Sequence, residues 1–299
     1  VVEWLFHREG DGMSEKRTSR RELEGIRSSL ADRDIEVVAS VAMHRFLTTR
    51  QICRLHFAYK PTETAALRSA NRALDKLRCL RLLVALDRRI GGVRAGSGAY
   101  VWSLGQVGAR LLQRVDDIDG LPRRQREFEP SSTFLKHTLA VAEVCIRLTE
   151  AAQRRDITLL DVQHEPACWR AYTGAGGGIA RLKPDLVVVT ATDEFEDHWF
   201  LEVDLATEPP SRVVRACLNY QDYRRSGVEQ RRLGLFPAVV WIVPTNRRKE
   251  TIKSHMRKHE GISPGLFTVI TLDQLETLIN SGSSYDTTPR AEAEGTCES

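Results

Sequence analysis

Apolar positions follow two regimes along the chain. Between residues 32 and 112 they recur mainly at helical spacing, whereas beyond residue 159 they gather into short, nearly continuous runs. Ile35, Val38, Ala39, Ala42 and Phe46 mark one face of a helix that starts at Asp32. Leu47-Thr48-Thr49 interrupts the pattern, and Thr48 or Thr49 is suited to cap a short helix over 50–57. Pro61-Thr62-Glu63-Thr64 opens a longer helix over 65–80, with Leu67, Ala70, Leu74 and Leu77 on one face. Residues 82–86 and 100–104 read as strands around a basic, glycine-rich loop, and 105–112 as a closing helix. Three helices and a two-stranded wing make the order of a winged helix-turn-helix. In that module the third helix enters the major groove and the basic wing touches backbone.

The second regime starts near Ser132. A long amphipathic helix over 134–154 offers Leu135, Leu139, Ala142, Cys145, Ile146 and Leu148 to a core. A strand over 159–164, a glycine run at 174–178 and an acidic hairpin follow. After them come a helix over 211–226, a strand over 238–243, a basic helix over 247–259, a strand over 266–272 and a short helix from Asp273. Helix, three strands, helix, strand is the order of a restriction-endonuclease-like core. The expected fold is therefore α/β (α+β), a winged helix-turn-helix over 32–115 and a nuclease-like domain over 132–280. A linker over 116–131 joins them, the polar residues 1–31 are disordered or frayed with room for a short helix, and 281–299 is a disordered tail. The glycine run precedes a strand and no Gly-Lys-Ser/Thr follows, so it reads as a flexible loop rather than a phosphate cradle.

The formal net charge of +4 changes meaning once it is divided. Residues 1–130 hold 24 Lys/Arg against 17 Asp/Glu, and residues 45–94 hold 12 basic residues against Glu63, Asp75 and Asp87. That surplus suits a phosphate-seeking surface. Arg50, Arg68, Arg72 and Lys76 on the helices, with Arg88, Arg89 and Arg94 on the wing, are the candidate contacts to double-stranded DNA; a merely solvated helical face is the plainer reading. No apolar run approaches the ~18 residues of a membrane span, and 1–10 lack the pattern of a secretory signal. The six cysteines include no CxxC pair, so neither a zinc site nor a disulfide framework is indicated, and a cytoplasmic protein with reduced cysteines is expected. Val1 opens the chain and Met13 is its first methionine. A non-AUG start at Val1 or initiation at Met13 is expected.

The sharpest chemical signal is Pro184-Asp185 entering one apolar run and Glu202-Val203-Asp204 in the next. Glu202 and Asp204 are two apart, hence on one strand face. With Asp193-Glu194-Phe195-Glu196 as the turn, Asp185 lies opposite Asp204 or its neighbour. Three carboxylates on one face suit Mg2+ or Mn2+, which take oxygen ligands and keep several waters. Such a metal activates water and neutralises charge at phosphate, the logic of PD-(D/E)XK nucleases. Asp185, Glu202 and Asp204 are thus both the catalytic and the metal candidates. Asp204 stands where active nucleases usually carry lysine, so an inert descendant or a ligand-free acidic hairpin are the competing readings. His137, Glu143, Glu208, Arg215 and Tyr220 are accessory candidates, Glu143 as a fourth carboxylate, Arg215 and Tyr220 toward a phosphate, and His137 either there or in packing.

Thr48-Thr49-Arg50-Gln51-Ile52, the run from Phe134 to Glu143, Pro184-Asp185, Glu202-Val203-Asp204 and Thr207-Glu208 together resemble the replication-relaxation family, actinobacterial and plasmid-associated proteins, over about 32–280. The family usually shows a lysine-bearing, tyrosine-rich helix after Thr-Glu. Here Tyr220 and Tyr223 remain, and Arg212 or Arg215 takes the basic place. The resemblance implies a role in replication, mobilisation or relaxation of plasmid or mobile-element DNA. A relaxase or replication initiator is then the expected protein partner, and a homodimer a candidate assembly. The alternatives are a Mg2+-dependent DNA endonuclease (a nickase) and a winged-helix transcriptional regulator with an inert rear domain.

Overall fold

The computed structural model describes residues 18–90, 99–115, 130–174, 176–192, 195–263 and 265–282. Helix α1 (Arg20–Ser29) begins at a reciprocal cap: the Ser19 hydroxyl accepts from the Glu22 N–H at 3.2 Å, and the Glu22 carboxylate accepts from the Ser19 N–H at 3.3 Å. With Leu23 buried, residues 20–29 form a short helix of the kind for which the polar N-terminal stretch left room. Helix α2 (Asp32–His44) stops where Arg45 adopts φ 65°. Phe46 therefore leaves the helical face assigned to it and joins strand β1 (Phe46–Thr48). Three residues are too few for a periodic signal, which is why the sequence pattern hides this strand.

Thr48 caps α3 (Thr49–Phe57) and Thr62 caps α4 (Glu63–Cys79), each hydroxyl accepting a backbone N–H three residues on. Strands β2 (Leu83–Ile90) and β3 (Ala99–Leu104) then pair antiparallel, and β1 adds to β3, giving the order β1-β3-β2. Helix α5 (Gln106–Val115) closes this front half. It lies so close to the chain before β2 that a Cβ on Gly108 would sit 2.3 Å from the Leu82 carbonyl oxygen, so only glycine fits. The expected linker lies almost wholly outside the described residues.

The rear half starts with α6 (Ser132–Gln153) and β4 (Thr158–His164). Next come β5 (Arg170–Thr173) and β6 (Ile179–Leu182), a hairpin of its own. Gly174, Gly176, Gly177 and Gly178 lie in the turn of that hairpin, with the Gly174 N–H donating to the Gly178 carbonyl at 2.9 Å. Strands β7 (Leu186–Ala191) and β8 (Glu196–Val203), helices α7 (Pro210–Ser226) and α8 (Val228–Leu233), and strand β9 (Ala238–Val243) follow. Helix α9 (Asn246–Lys258), β10 (Phe267–Thr271) and α10 (Leu275–Ser281) complete it. The five-stranded sheet runs β10-β9-β8-β7-β4, parallel across β10, β9 and β8 and antiparallel across β8, β7 and β4. The near-continuous apolar runs of β7 and β9 reflect strands covered on both faces.

Helix α6 is buried from both sides. Ala142 and Ile146 enter the front core beside Ile52 and Trp102, while Val144, Cys145, Leu148 and Ala151 pack under the large sheet. A polar clamp adds to this: Arg54 of α3 reaches Glu150 through Nε at 2.7 Å and Nη2 at 2.6 Å, and Glu143 through Nη1 at 2.6 Å. Gln51 donates to the Leu139 carbonyl at 3.0 Å. Because one guanidinium serves two carboxylates, Arg54→Ala should lower unfolding stability by about 2 kcal/mol in urea titrations, and Arg54→Lys should recover only part of it. Equal stability of all three proteins would show that the clamp contributes nothing.

Candidate active site and nucleic-acid interface

The acidic hairpin forms, with a register different from the expected one. Leu186 pairs with Leu201 and Ala191 with Glu196, around a turn in which the Thr192 N–H donates to the Phe195 carbonyl at 2.9 Å. Continued one step further, that register sets Asp185 opposite Glu202 rather than Asp204. The turn starts earlier than its acidic residues suggest, because Thr192 already closes it. Asp185 is anchored across the ladder: its Oδ2 accepts the Val203 N–H at 2.7 Å, and its Oδ1 lies 2.9 Å from His137 Nε2. Glu202 accepts a hydrogen bond from the buried Tyr220 hydroxyl at 2.6 Å.

These contacts set the charges. Burial first, and the neighbouring Asp185 second, push the Glu202 carboxyl well above the usual carboxylate range, against the pull of the Tyr220 hydrogen bond. Tyr220 is pushed up in turn by burial and by Glu202. The hydrogen bond to Asp185 raises the His137 imidazole toward its cationic form, against burial. Two carboxylates thus face each other, with an imidazole beside one of them and a phenol hydroxyl beside the other.

Asp204 is held differently. It lies just past the end of β8 and is buried, and its carboxylate takes two hydrogen bonds from Arg248 of α9, from Nε at 2.7 Å and Nη2 at 3.0 Å. Arg248 also donates to the Glu208 carbonyl at 2.8 Å, while the exposed Glu208 carboxylate pairs with Arg212. The third carboxylate is therefore neutralised by an arginine that sequence reasoning missed. Its only hint was a basic helix directly after a buried strand. Glu143 faces the front half, bound by Arg54 and 3.7 Å from Arg147, so the geometry gives it no place beside Asp185. Arg215 is exposed on α7, away from the buried face that carries Tyr220.

Residues 38–239 match the model of the family described as replication-relaxation. The chain belongs to the replication-relaxation family. The matched span covers the front half from α2 and the whole acidic hairpin, and ends before Arg248. Neither the curated proteins nor the solved structures contain a significant match.

The basic residues of this replication-relaxation chain separate into two groups. Arg50 at the start of α3 and Arg68 and Arg72 on α4 are exposed, with no hydrogen bond or ion pair among the described residues. Lys76 is committed elsewhere, donating to buried Asp34 at 2.8 Å and to the Ser29 carbonyl at 3.0 Å, and so ties α4 to α2. Its spacing on the exposed face could not reveal that partner. Arg88 and Arg89 lie on β2, their side chains outside the described part, and Arg94 lies outside the described residues. No helix among the described residues is long and apolar enough to cross a membrane.

The charge arrangement gives a contrast within one site. Asp204→Asn leaves the half-buried Arg248 without its full counter-charge and should cost about 3 kcal/mol. Glu202→Gln keeps an acceptor for Tyr220 and removes the repulsion with Asp185, so stability should hold within about 0.5 kcal/mol or rise. Urea unfolding of the two variants checks both, and the reverse ranking would contradict the charge assignment.

Proposed function

We propose that this chain binds double-stranded DNA of a plasmid or mobile element during its replication or relaxation. In this reading the front half is a winged helix-turn-helix with α4 as the helix that meets the major groove. The observation that carries it is the pair Arg68 and Arg72, exposed on one face of a capped helix without partners among the described residues. Side chains that neutralise nothing among the described residues are available to phosphate, and Arg50 at the start of α3 adds a further exposed cation. Family membership supports the setting, with a relaxase or replication initiator as the protein partner. Binding to duplex DNA should weaken steeply with salt. Arg68→Ala and Arg72→Ala should each reduce the slope of log affinity against log salt by ~1. Lys76→Ala should instead leave the slope intact and lower stability. Salt-independent binding, or unchanged binding in the Arg68/Arg72 double variant, would overturn the reading.

A second reading, a metal-dependent DNA endonuclease with a PD-(D/E)XK-like rear domain, is favoured by the Asp185–Glu202 pair. Two neighbouring carboxylates, one of them raised by burial first and by the other second, have a use for a cation, and Mg2+ is commonly held by one or two carboxylates and waters. Asp185 and Glu202 would hold it, while Asp204 stays with Arg248. When bound, Mg2+ or Mn2+ would activate water and offset charge on a phosphate. Around it, His137 would keep Asp185 oriented and Tyr220 would fix Glu202. Nicking of supercoiled plasmid that needs Mg2+ or Mn2+, stops with EDTA and is lost in Asp185→Asn would support this reading. Absence of nicking with either ion would leave the chain a DNA-binding protein without this chemistry.

A further inference from the structure

A second cluster lies where the two halves meet. His44 ends α2 of the front half, Cys145 sits mid-way along α6, and His164 ends β4 of the rear sheet. One ring nitrogen from each histidine and the Cys145 sulfur all lie within 4.8 Å of one another. Cys145 Sγ and His164 Nε2 are 3.7 Å apart, and the rings of His44 and His164 meet edge-on with centroids 4.8 Å apart. His44 is more than nine-tenths buried, yet its Nδ1 has no hydrogen-bond partner among the described residues. A polar atom left unsatisfied in the interior is costly and calls for an explanation. Nothing in the acidic site or in the DNA surface uses these three residues.

We propose that His44, Cys145 and His164 bind a Zn2+ ion that clamps the front half onto the rear. Two imidazoles and a thiolate suit zinc and exclude Mg2+, which requires oxygen ligands. With bonds of about 2.0 Å to nitrogen and 2.3 Å to sulfur, tetrahedral ligand atoms lie ~3.6 Å apart. The Cys145–His164 separation already matches, and the widest separation needs to close by about an ångström. Burial holds His44 down to about 3 and His164 to about 4, so both imidazoles are neutral near pH 7 with lone pairs available. Burial also pushes the Cys145 thiol up to about 12, so zinc entry releases its proton to solvent. A small cavity of about 50 Å3, lined by both histidines and by His137, Glu165 and Asp185, leaves room for water in the fourth position.

The full-length chain in a Cys79→Ser/Cys297→Ser background, stripped of metal and kept in excess Mg2+, provides the test. It should take up one Zn2+ or Co2+ per chain. The cobalt form should show a thiolate-to-cobalt charge-transfer band. X-ray absorption of the zinc form should show a single sulfur at about 2.3 Å with imidazole nitrogens at about 2.0 Å. Zn2+ should raise the melting temperature of this protein and leave that of Cys145→Ser and His44→Gln unmoved. This readout holds even where a variant starts from a lower melting temperature. No stoichiometric uptake, a zinc shell without sulfur, or an equal thermal shift in the variants would overturn the proposal.

Discussion

Everything in this molecule leans on α6, a helix whose middle turns bury residues in two separate cores. Ala142 and Ile146 belong to the front core, and Val144, Cys145, Leu148 and Ala151 to the core under the large sheet. Separating the halves would expose apolar surface on both and leave Glu143 and Glu150 without Arg54. The same helix carries His137 to Asp185 and Cys145 to His164. Its placement thus fixes the exposed arginines of α4 relative to the acidic hairpin.

The acidic hairpin is a problem in charge balance, and the chain resolves it locally. Asp185 has His137 and a backbone N–H, Glu202 has Tyr220, and Asp204 has Arg248. Only Asp204 receives a full permanent counter-charge. Asp185 and Glu202 repel each other across the ladder, and the repulsion shows as a carboxyl raised by burial and by its neighbour. A site that stores such repulsion is less stable than it could be, a recurring property of functional centres.

Much of the fold was legible because it rests on local rules. Thr48 as a cap, the helical stripe of α4 and the apolar runs of β7 and β9 appear where local pattern places them, whereas α2 forms as expected but buries Val37, Val38 and Val41, of which only Val38 belongs to the expected stripe. What escaped depends on partners distant in sequence. β1 exists because it adds to β3, and the β5–β6 hairpin is built around glycines that read as a loop. Likewise Lys76 reads as a surface cation until Asp34 is seen beneath it, and Asp204 as a ligand until Arg248 arrives from α9. The His44, Cys145 and His164 cluster has no sequence signature, since its members come from three separate elements and no CxxC pair announces them.

The central claim is that the two halves form one mechanical unit through α6. Native-state hydrogen exchange on the full chain tests it most directly. Amides in the middle of α6 should be among the slowest in the protein, and those of β3 and β8 should share their opening free energy, because no core can open without the helix. Exchange in which β3 and α4 open at a clearly lower free energy while α6 and β8 stay protected would contradict it.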